Sequence, residues 1–222
     1  MPILTNTGGI AATNCYLVAD EAAKLAVLFD APDHTTTPLL DECSRRGWTL
    51  QGLWLTHGHF DHLADHAVVT SRFPTAKVLI HELDAPKLQN PTTRLFQLPF
   101  TIPPRSPDAT LTDGQRLSIG SLQVEVIHTP GHSPGHVMFL LTNPASPADP
   151  PVLIGGDLII MHAVGRTDFP DCSYPALQSS IRRIMQLPPE TRLLPGHGDP
   201  TTLAEELRTN PYVQEAVEAS AD

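Results

Sequence analysis

Histidine and aspartate are concentrated in one short stretch of the sequence, THGHFDH, which begins at Thr56. The stretch contains His57, His59 and His62, three of the eleven histidines of the chain, together with Asp61. Imidazole nitrogens and carboxylate oxygens are zinc ligands, with bond lengths of about 2.0 to 2.2 Å. Two histidines separated by one residue project to the same side of an extended segment. The spacing therefore predicts a metal site.

The same stretch has the residues for a second ion. Asp61 and His62 come at the turn from the apolar run LQGLWL into a predicted helix, so their side chains point away from those of His57 and His59. Two catalytic ions typically lie about 3.5 to 4 Å apart. We therefore predict that Asp61 and His62 can serve a second ion.

Three further segments share one arrangement, in which an apolar strand leads through a small turn with glycine to a candidate ligand. The runs LQVEVIH, PVLIGG and RLLP lead in this way to His132, Asp157 and His197. If these strands lie in packed sheets, the ligands gather along one edge, where active sites of layered α/β proteins commonly lie. The predicted metal ligands are His57, His59, Asp61, His62, His132, Asp157 and His197.

Several other histidines are candidates for supporting positions. His66 lies one helical turn past a predicted ligand, and His128 lies four residues before another. Either ring could orient a ligand through a hydrogen bond. His136 and His162 are candidates for the wall of the site.

The elements that must position these residues alternate between short apolar strands and amphipathic helices, a pattern typical of an α/β protein. Strands are predicted in NCYLVAD, KLAVLFD, LQGLWL, AKVLIH, RLSIG, LQVEVIH, HVMFLLT, PVLIGG and TRLLP. Helices are predicted in TTPLLDECSRRGW, HLADHAVVTSRF and SYPALQSSIRRIMQL, and as two pieces of the tail that separate at Asn210. Ser173 is an expected N-cap, and Thr202 with Glu205 an expected capping box.

The chain of 222 residues, 41% of them hydrophobic, can supply the core of one large domain or two small ones. We predict a single domain over residues 1–222. A proline-rich segment at 88–108 shows no periodicity, yet it carries Phe96, Leu98 and Phe100. Long irregular connections inside a compact domain are usually functional. We predict that this insertion is a lid or wall over the site.

Composition excludes several classes of partner. The net charge of -10, from 14 basic and 24 acidic residues, argues against binding to nucleic acid or to an anionic membrane. Neither a signal peptide nor an apolar run of about 18 residues, the length of a membrane span, is present. Cys15, Cys43 and Cys172 form no CxxC pair, so reduced thiols are expected. These features predict a soluble cytoplasmic protein that acts on a small molecule.

Four motifs, THGHFDH, TPGHSPGH, GGD and PGHGDPTT, resemble in order the metal-binding motifs of the metallo-β-lactamase-fold hydrolases. The hairpin TNCYLVADEAAKLAVLFDAP is similar to the opening of the same family, so the resemblance covers essentially the whole chain. It implies a four-layer αββα sandwich, of mixed α/β (α+β) class, with two divalent metal ions at one edge of the sheets. The ions would be zinc, with iron or manganese as alternatives.

The resemblance also implies a role for each ligand. It assigns two groups that share Asp157 as a bridge: His57, His59 and His132 for one ion, and Asp61, His62 and His197 for the other. A hydroxide held between two such ions exists at neutral pH because the ions lower the pKa of water toward about 7. This hydroxide would attack an acyl carbonyl, while Asp157 and Asp61 orient it and handle its proton.

The sequence GRTDFP, which begins at Gly165, resembles a motif of the glyoxalase II-related group of short single-domain hydrolases. A close variant occurs in persulfide dioxygenases, and both groups act on glutathione thiol derivatives. Arg166 and Asp168 would either form a structural ion pair beside the metals or contact the substrate.

The resemblance leaves three activities open. The first is dinuclear hydrolysis of a thioester such as S-lactoylglutathione, or of a related acyl substrate. The second is a mononuclear iron persulfide dioxygenase, in which His57, His132 and Asp157 form a two-histidine, one-carboxylate site. The third is a lactonase. Pro170 and the proline-rich insertion favour the hydrolase.

One feature departs from classical glyoxalase II, which carries a helical C-terminal domain with basic glutathione-binding residues. Only 25 residues of this 222-residue chain follow His197, so such a domain is not expected. The basic residues that could replace it are Lys87, Arg94 and Arg105.

Overall fold

The computed structural model describes residues 1–91 and 98–219. Within these ranges the chain forms two six-stranded sheets, a two-stranded hairpin and seven helices. The predicted α/β class is therefore confirmed. None of the helices in the described ranges is long and apolar enough to cross a membrane. The expectations for Arg94 and Phe96 lie outside the described residues.

The chain divides into two compact units. The first contains β1 (Ile3–Gly8), β2 (Thr13–Asp20), β3 (Leu25–Phe29), α1 (Thr37–Arg45), β4 (Thr49–Trp54), α2 (Phe60–Leu63), α3 (His66–Arg72), β5 (Lys77–His81), α4 (Ala85–Gln89) and β6 (Ala109–Leu111). The remaining elements are β7 (Arg116–Ile119), β8 (Leu122–His128), β9 (Val137–Thr142), β10 (Val152–Gly156), β11 (Ile159–Ile160), β12 (Ala163–Val164), α5 (Tyr174–Ile184), β13 (Arg192–Pro195), β14 (Thr201–Thr202), α6 (Leu203–Thr209) and α7 (Pro211–Glu218). They belong to the second unit, except for Ile119 at the end of β7.

The sheet of the first unit has the strand order β1-β2-β3-β4-β5-β6. β1, β2 and β3 pair antiparallel, which confirms the predicted N-terminal hairpin, whereas β3 to β6 pair parallel. The sequence did not predict β1 or β6, because ILTNTG is half polar and ATL is only three residues long. The parallel pairing brings the carboxyl ends of β3, β4 and β5 to one edge of the sheet.

The predicted helix over HLADHAVVTSRF is divided in the structure into α2 and α3. The division lies at Asp65, whose N–H donates to the carbonyl of Ala31 at 2.8 Å. The Asp65 carboxylate also accepts the backbone N–H groups of His34 and Thr35, each at 3.1 Å. These long-range bonds turn the chain between the two helices, and they cannot be read from the local sequence.

His66, one of the two rings that could orient a ligand, makes a different contact in the structure. Its ring donates from Nε2 to the carbonyl of Pro103 at 2.8 Å, because a carbonyl can only accept. Burial lowers the pKa of His66, so the ring is neutral near pH 7. His66 therefore anchors the described part of the proline-rich insertion.

The segment predicted as an insertion at 88–108 begins inside α4, which ends at Gln89, and its described residues 98–108 are seated on the hydrophobic core of the first unit. Ile102 is buried, and Leu98 and Phe100 pack against a cluster that includes Phe60 and Leu63 of α2. These apolar side chains are therefore packed, as their presence in an irregular segment indicated. The role of the whole insertion as a lid stays a prediction.

The sheet of the second unit has the strand order β14-β13-β10-β9-β8-β7, and its core contains residues of both strands and helices. Leu177, Ile181 and Ile184 of α5 and Val213 of α7 pack in this core with strand residues such as Leu153. The nonpolar side chains of α5 recur at helical spacing, and the segment was predicted as a helix with Ser173 as its N-cap.

The helix caps predicted for the second unit are largely confirmed. Ser173 accepts the N–H of Ala176 at 3.3 Å, and the hydroxyl of Thr202 accepts the N–H of Glu205 at 3.2 Å. The Glu205 carboxylate, which the predicted capping box would direct back to Thr202, instead forms an ion pair with Arg208 at 2.6 Å. These bonds satisfy N–H groups that a helix leaves unpaired at its start.

Asp20 stabilises two turns of the first unit and is expected to make stability depend on pH. Its carboxylate accepts the N–H and the hydroxyl of Ser121, each at 2.7 Å, and the N–H groups of Ala22 and Ala23, each at 3.0 Å. These hydrogen bonds, those from Ser121 above all, lower the pKa of Asp20 from 3.8 to about 2. The carboxylate therefore stabilises the folded state above the unfolded pKa, and this contribution is lost as pH falls through the folded pKa.

We expect D20N to lower the free energy of unfolding by about 1 to 2 kcal/mol near pH 7. The two proteins should become similar in stability as pH falls through the folded pKa of about 2, because wild-type Asp20 then becomes neutral as well. Urea denaturation at several pH values measures this difference. A difference in free energy of unfolding that stays constant down to acid pH would contradict the role of the ionised Asp20 carboxylate.

Candidate metal centre

Polar residues follow three neighbouring parallel strands of the first unit. Asp30 comes directly after β3, Thr56 and His57 come shortly after β4, and Asp84 comes shortly after β5. Because these strands are parallel, the residues that follow them lie at one edge of the sheet. This edge is where the sequence predicted the first group of ligands.

Four predicted ligands lie close together in the first unit, and we call His57, His59, Asp61 and His62 the N-terminal cluster. The Nε2 atom of His57 lies 3.1 Å from Nδ1 of His59, and Nε2 of His62 lies 3.5 Å from Oδ2 of Asp61. The rings of His57 and His62 have centroids 4.1 Å apart. His57 and His62 are fully buried, and Asp61 is only 7% exposed.

The other three predicted ligands lie close together in the second unit, and we call His132, Asp157 and His197 the C-terminal cluster. β10 pairs parallel with β13, and β8 pairs antiparallel with β9, which is antiparallel to β10. β8, β10 and β13 therefore point the same way, so their carboxyl ends share an edge. Oδ2 of Asp157 lies 3.4 Å from Nε2 of His132 and 3.3 Å from Nε2 of His197.

The donor atoms of both clusters fit a metal ion. Nitrogen and oxygen ligands at about 2.0 to 2.1 Å from a tetrahedral ion are about 3.4 Å from each other. The distances within the clusters range from 3.1 Å for His57 and His59 to 3.5 Å for Asp61 and His62. Imidazole and carboxylate donors suit zinc, iron and manganese. The residues present therefore fit the ions that the sequence implied.

Asp30 fixes the rings of two ligands in the N-terminal cluster. Its carboxylate accepts the N–H of Thr56 at Oδ1, and at Oδ2 it accepts the Thr56 hydroxyl and Nδ1–H of His62, all at 2.8 Å. Because the Thr56 hydroxyl proton goes to Asp30, its oxygen accepts Nδ1–H of His57 at 3.0 Å. In its neutral form, each of these two rings therefore carries its proton on Nδ1 and presents Nε2 as the atom that can bind a metal.

Two carboxylates, Asp84 beside the N-terminal cluster and Asp61 within it, are held in place by hydrogen bonds. Asp84 is fully buried and accepts the N–H of Gly58, between two ligands, at 2.8 Å. Oδ2 of Asp61 accepts the hydroxyl of Thr13 at 2.7 Å. The first contact fixes the backbone of the histidine stretch, and the second fixes the orientation of a predicted catalytic carboxylate.

The GRTDFP sequence supports the C-terminal cluster through its backbone. The carbonyl of Arg166 accepts Nδ1–H of His132 at 2.8 Å, which in the neutral ring leaves Nε2 as the atom that can bind a metal. The Arg166 side chain forms a bidentate ion pair with Asp168, at 2.6 Å for each contact, and its guanidinium stacks on Phe169. The structure thus contains the ion pair that was one of the two alternatives for Arg166 and Asp168.

A side chain at position 165 would disrupt this support. A Cβ atom on Gly165 would lie 2.0 Å from the carbonyl oxygen of Asp157 and 2.7 Å from Nδ1 of His132. We expect G165A to lower the free energy of unfolding by about 1 to 3 kcal/mol and to weaken metal binding, because the loop must move away from both ligands.

Gly114 provides a matched control for G165A. A Cβ atom there meets nothing within 4 Å, although φ is +69°. G114A should show only the modest cost of left-handed backbone strain and unchanged metal affinity. Urea denaturation and metal titration of both variants test this, and equal metal affinity of G165A and wild type would contradict the role of Gly165.

His136 and His128 occupy supporting positions of different kinds. His136 is fully buried, and its Nε2 accepts the N–H of Asp157 at 2.9 Å while its Nδ1 faces the Thr129 hydroxyl at 2.8 Å. It therefore fixes the backbone of a predicted ligand. The ring of His128 donates from Nε2 to the carbonyl of Pro134 at 2.9 Å, so it holds the loop that contains His132.

The three cysteines are free, and Cys15 and Cys43 are buried. Burial raises the pKa of the Cys15 thiol, and it raises that of Cys43 to about 11. Cys172 donates from Sγ to the carbonyl of His132 at 2.9 Å. The expectation of reduced thiols agrees with these surroundings. Cys172 also contacts the backbone of a predicted ligand.

Several supporting residues were not identified from the sequence: Thr13, Asp30, Thr56, Asp84 and Cys172. The position of Asp30 directly after the apolar run LAVLF is the one signal that could have found it, since the predicted ligands also follow strands. Thr13, Asp84 and Cys172 act through contacts between distant segments, and Thr56 joins distant Asp30 to the adjacent His57.

Comparison with known proteins identifies the class to which this fold and these clusters belong. The family model of the metallo-beta-lactamase superfamily matches residues 8–197. The chain therefore belongs to the metallo-beta-lactamase superfamily, and the predicted fold type is confirmed.

Its relatives include a glyoxalase II-type enzyme and proteins of known structure. Hydroxyacylglutathione hydrolase GloC of Haemophilus influenzae is 30% identical over 204 residues, which cover 90% of this chain and 92% of that protein. The crystal structure of the B3 metallo-beta-lactamase BLEG-1 has a TM-score of 0.84 at 32% identity, covering 96% of this chain and 99% of that one. TTHA1623, crystallised in a di-iron-bound form, has a TM-score of 0.79 at 37% identity, and the match covers 94% of this chain and 99% of that one.

Proposed function

We propose that this protein is a dinuclear metal-dependent hydrolase that cleaves a thioester or a related small acyl substrate. The observation that carries the proposal is that hydrogen bonds orient the rings of three predicted ligands. His57, His62 and His132 each have Nδ1 engaged by a fixed partner, which leaves Nε2 as the donor atom. Such outer hydrogen bonds are typical of metal-binding histidines.

The proposed ligand sets are those that the family resemblance implied. His57, His59 and His132 would bind one ion, Asp61, His62 and His197 would bind the other, and Asp157 would bridge them. The spacing of donor atoms within the N-terminal and C-terminal clusters, 3.1 to 3.5 Å, supports the use of these side chains as ligands. Zinc is the proposed metal, and the di-iron form of TTHA1623 makes iron the principal alternative.

When bound, two such ions activate a water molecule and polarise the acyl carbonyl. The residues of the chain supply orientation and proton transfer. Asp61, held by Thr13, and Asp157, held through its N–H by His136, orient the water and take up its proton at their carboxylate oxygens. No nucleophilic side chain is required in this mechanism.

The substrate class is proposed from the relative GloC, whose name describes hydrolysis of a hydroxyacylglutathione. Two of the basic residues considered for binding glutathione are engaged with carboxylates in the structure. Nζ of Lys87 lies 3.3 Å from Asp84, and Arg105 lies 2.8 Å from Asp108. We therefore propose acyl thioester hydrolysis without assigning those residues to glutathione. A cytoplasmic location, and the absence of nucleic-acid and membrane partners, belong to the same proposal.

The test combines metal analysis with two assays on protein purified without added metal. We expect about two zinc or iron ions per chain, and hydrolysis of S-lactoylglutathione that is lost with a chelator and restored by metal. One iron per chain, with oxygen uptake on glutathione persulfide and no thioester hydrolysis, would replace this proposal by the dioxygenase. Turnover of lactones but not of thioesters would replace the substrate class alone.

A further inference from the structure

The hairpin β11–β12 connects two members of the C-terminal cluster. β11 begins two residues after Asp157, and β12 ends immediately before Gly165. The next residue, Arg166, supplies the carbonyl that accepts Nδ1–H of His132. The position of the hairpin therefore sets the position of this carbonyl relative to the His132 ring.

Two buried side chains near the C-terminal helices hold the hairpin. Asn210, between α6 and α7, donates from Nδ2 to the carbonyls of Ile160 at 3.3 Å and Ala163 at 2.9 Å, one in each strand. Oε2 of Glu206 accepts Nδ2–H of Asn210 at 2.7 Å and the N–H of His162, at the tip of the hairpin, at 3.1 Å. Both Glu206 and Asn210 are fully buried. We call this pair the hairpin clamp.

The clamp holds a conformation that the hairpin would not favour by itself. His162 has φ of +60°, in the left-handed region that non-glycine residues rarely adopt. Its Nδ1 also lies 3.0 Å from the hydroxyl of Thr209 on α6. The tip therefore depends on its contacts with α6.

A glutamate at position 206 is unfavourable for the stability of the fold. Within the described part of the chain, its Oε1 is buried and accepts no hydrogen bond. Burying a carboxylate with one oxygen unsatisfied costs free energy that an apolar side chain of the same size would avoid. This points to a role beyond stability.

We propose that Glu206 and Asn210 are positioning residues for His132, acting through β11–β12 and the Arg166 carbonyl. The inference rests on the proposed function of His132 as a metal ligand. If the hairpin shifts, the bond from Nδ1 of His132 lengthens, and the ring is free to place its proton on Nε2. A ring protonated at Nε2 cannot bind a metal ion through that atom.

Three variants separate this role from a general effect on stability. E206M preserves the length of the side chain but removes the acceptor of His162 and Asn210. E206Q keeps an oxygen that can accept both bonds, so it should restore wild-type behaviour. T202A removes the N-cap bond of α6 without touching the hairpin, so it serves as the destabilised control.

The first measurement uses metal-free protein labelled with 15N in histidine, where ring nitrogen shifts report the tautomer of His132. Wild type, E206Q and T202A should show His132 protonated at Nδ1, whereas E206M should show a mixture of tautomers. The His132 signals are assigned by their loss in H132Q. An unchanged tautomer in E206M would overturn the proposal, whether or not the protein binds metal.

The second measurement is metal affinity by competition with a chelator. We expect E206M to bind the ion assigned to His57, His59 and His132 about 10-fold or more less tightly than wild type, the size typical of lost outer-shell contacts. E206Q and T202A should stay within about twofold. Equal weakening in T202A would show a stability effect and overturn the proposal, whereas failure of wild type to bind any metal would refute the proposed function instead.

Discussion

The variant D30N should bind metal about 10- to 100-fold more weakly than the wild type, the range typical of outer-shell substitutions. The reason is the number of donors around this carboxylate. Oδ2 of Asp30 accepts both the Thr56 hydroxyl and Nδ1–H of His62, and Oδ1 accepts the N–H of Thr56. An amide group has one oxygen, so in either orientation its NH2 group would face a donor. His62 loses its fixed tautomer directly, and His57 loses it through Thr56.

Because His57 and His62 are assigned to different ions, D30N should lower the binding affinity for both ions rather than for one. Competition with a chelator, followed by metal analysis, measures this effect. D65N is the matched control, since Asp65 is also a buried carboxylate that accepts several donors, among them the N–H groups of His34 and Thr35. D65N should lose stability but keep its metal affinity. Equal losses of affinity in the two variants would contradict a specific role of Asp30.

The seven candidate ligands could be predicted from the sequence because each lies shortly after an apolar strand or in one dense stretch. A strand ends where its apolar run ends, so His132, Asp157 and His197 could be placed at a sheet edge without knowing the strand order. The family resemblance, and not the residue pattern, supplied the fold type and the division of the ligands between two ions.

The supporting contacts could not be predicted, because they join segments that are far apart in the sequence. Asp30 is 26 residues from Thr56 and 32 from His62, and Arg166 is 34 from His132. No local pattern marks such partners. The same cause explains the division of α2 from α3, where Asp65 forms bonds to a loop about 30 residues earlier in the chain. Local propensity favours one continuous helix there, and tertiary contacts override it.

The variant D61A should reduce thioester hydrolysis by about 100-fold or more, because a dinuclear hydrolase loses a ligand of its second ion and a carboxylate that orients water. The metal content should fall from about two ions per chain toward one. T13V is the matched control: it removes the hydroxyl that donates to Oδ2 of Asp61 at 2.7 Å but keeps the carboxylate. Its effect should be about 10-fold or smaller, the lower end of the range for outer-shell contacts.

D61A also separates the two chemistries that share the other ligands. A mononuclear dioxygenase would use His57, His132 and Asp157, none of which D61A removes, so its metal content and oxygen uptake should survive the change. A hydrolase that depends on both ions cannot retain its rate when the set of Asp61, His62 and His197 is incomplete. Loss of thioester turnover together with loss of one ion, in a variant that still folds, would therefore tie the reaction to the second ion, whereas full activity with a single ion would exclude the dinuclear mechanism.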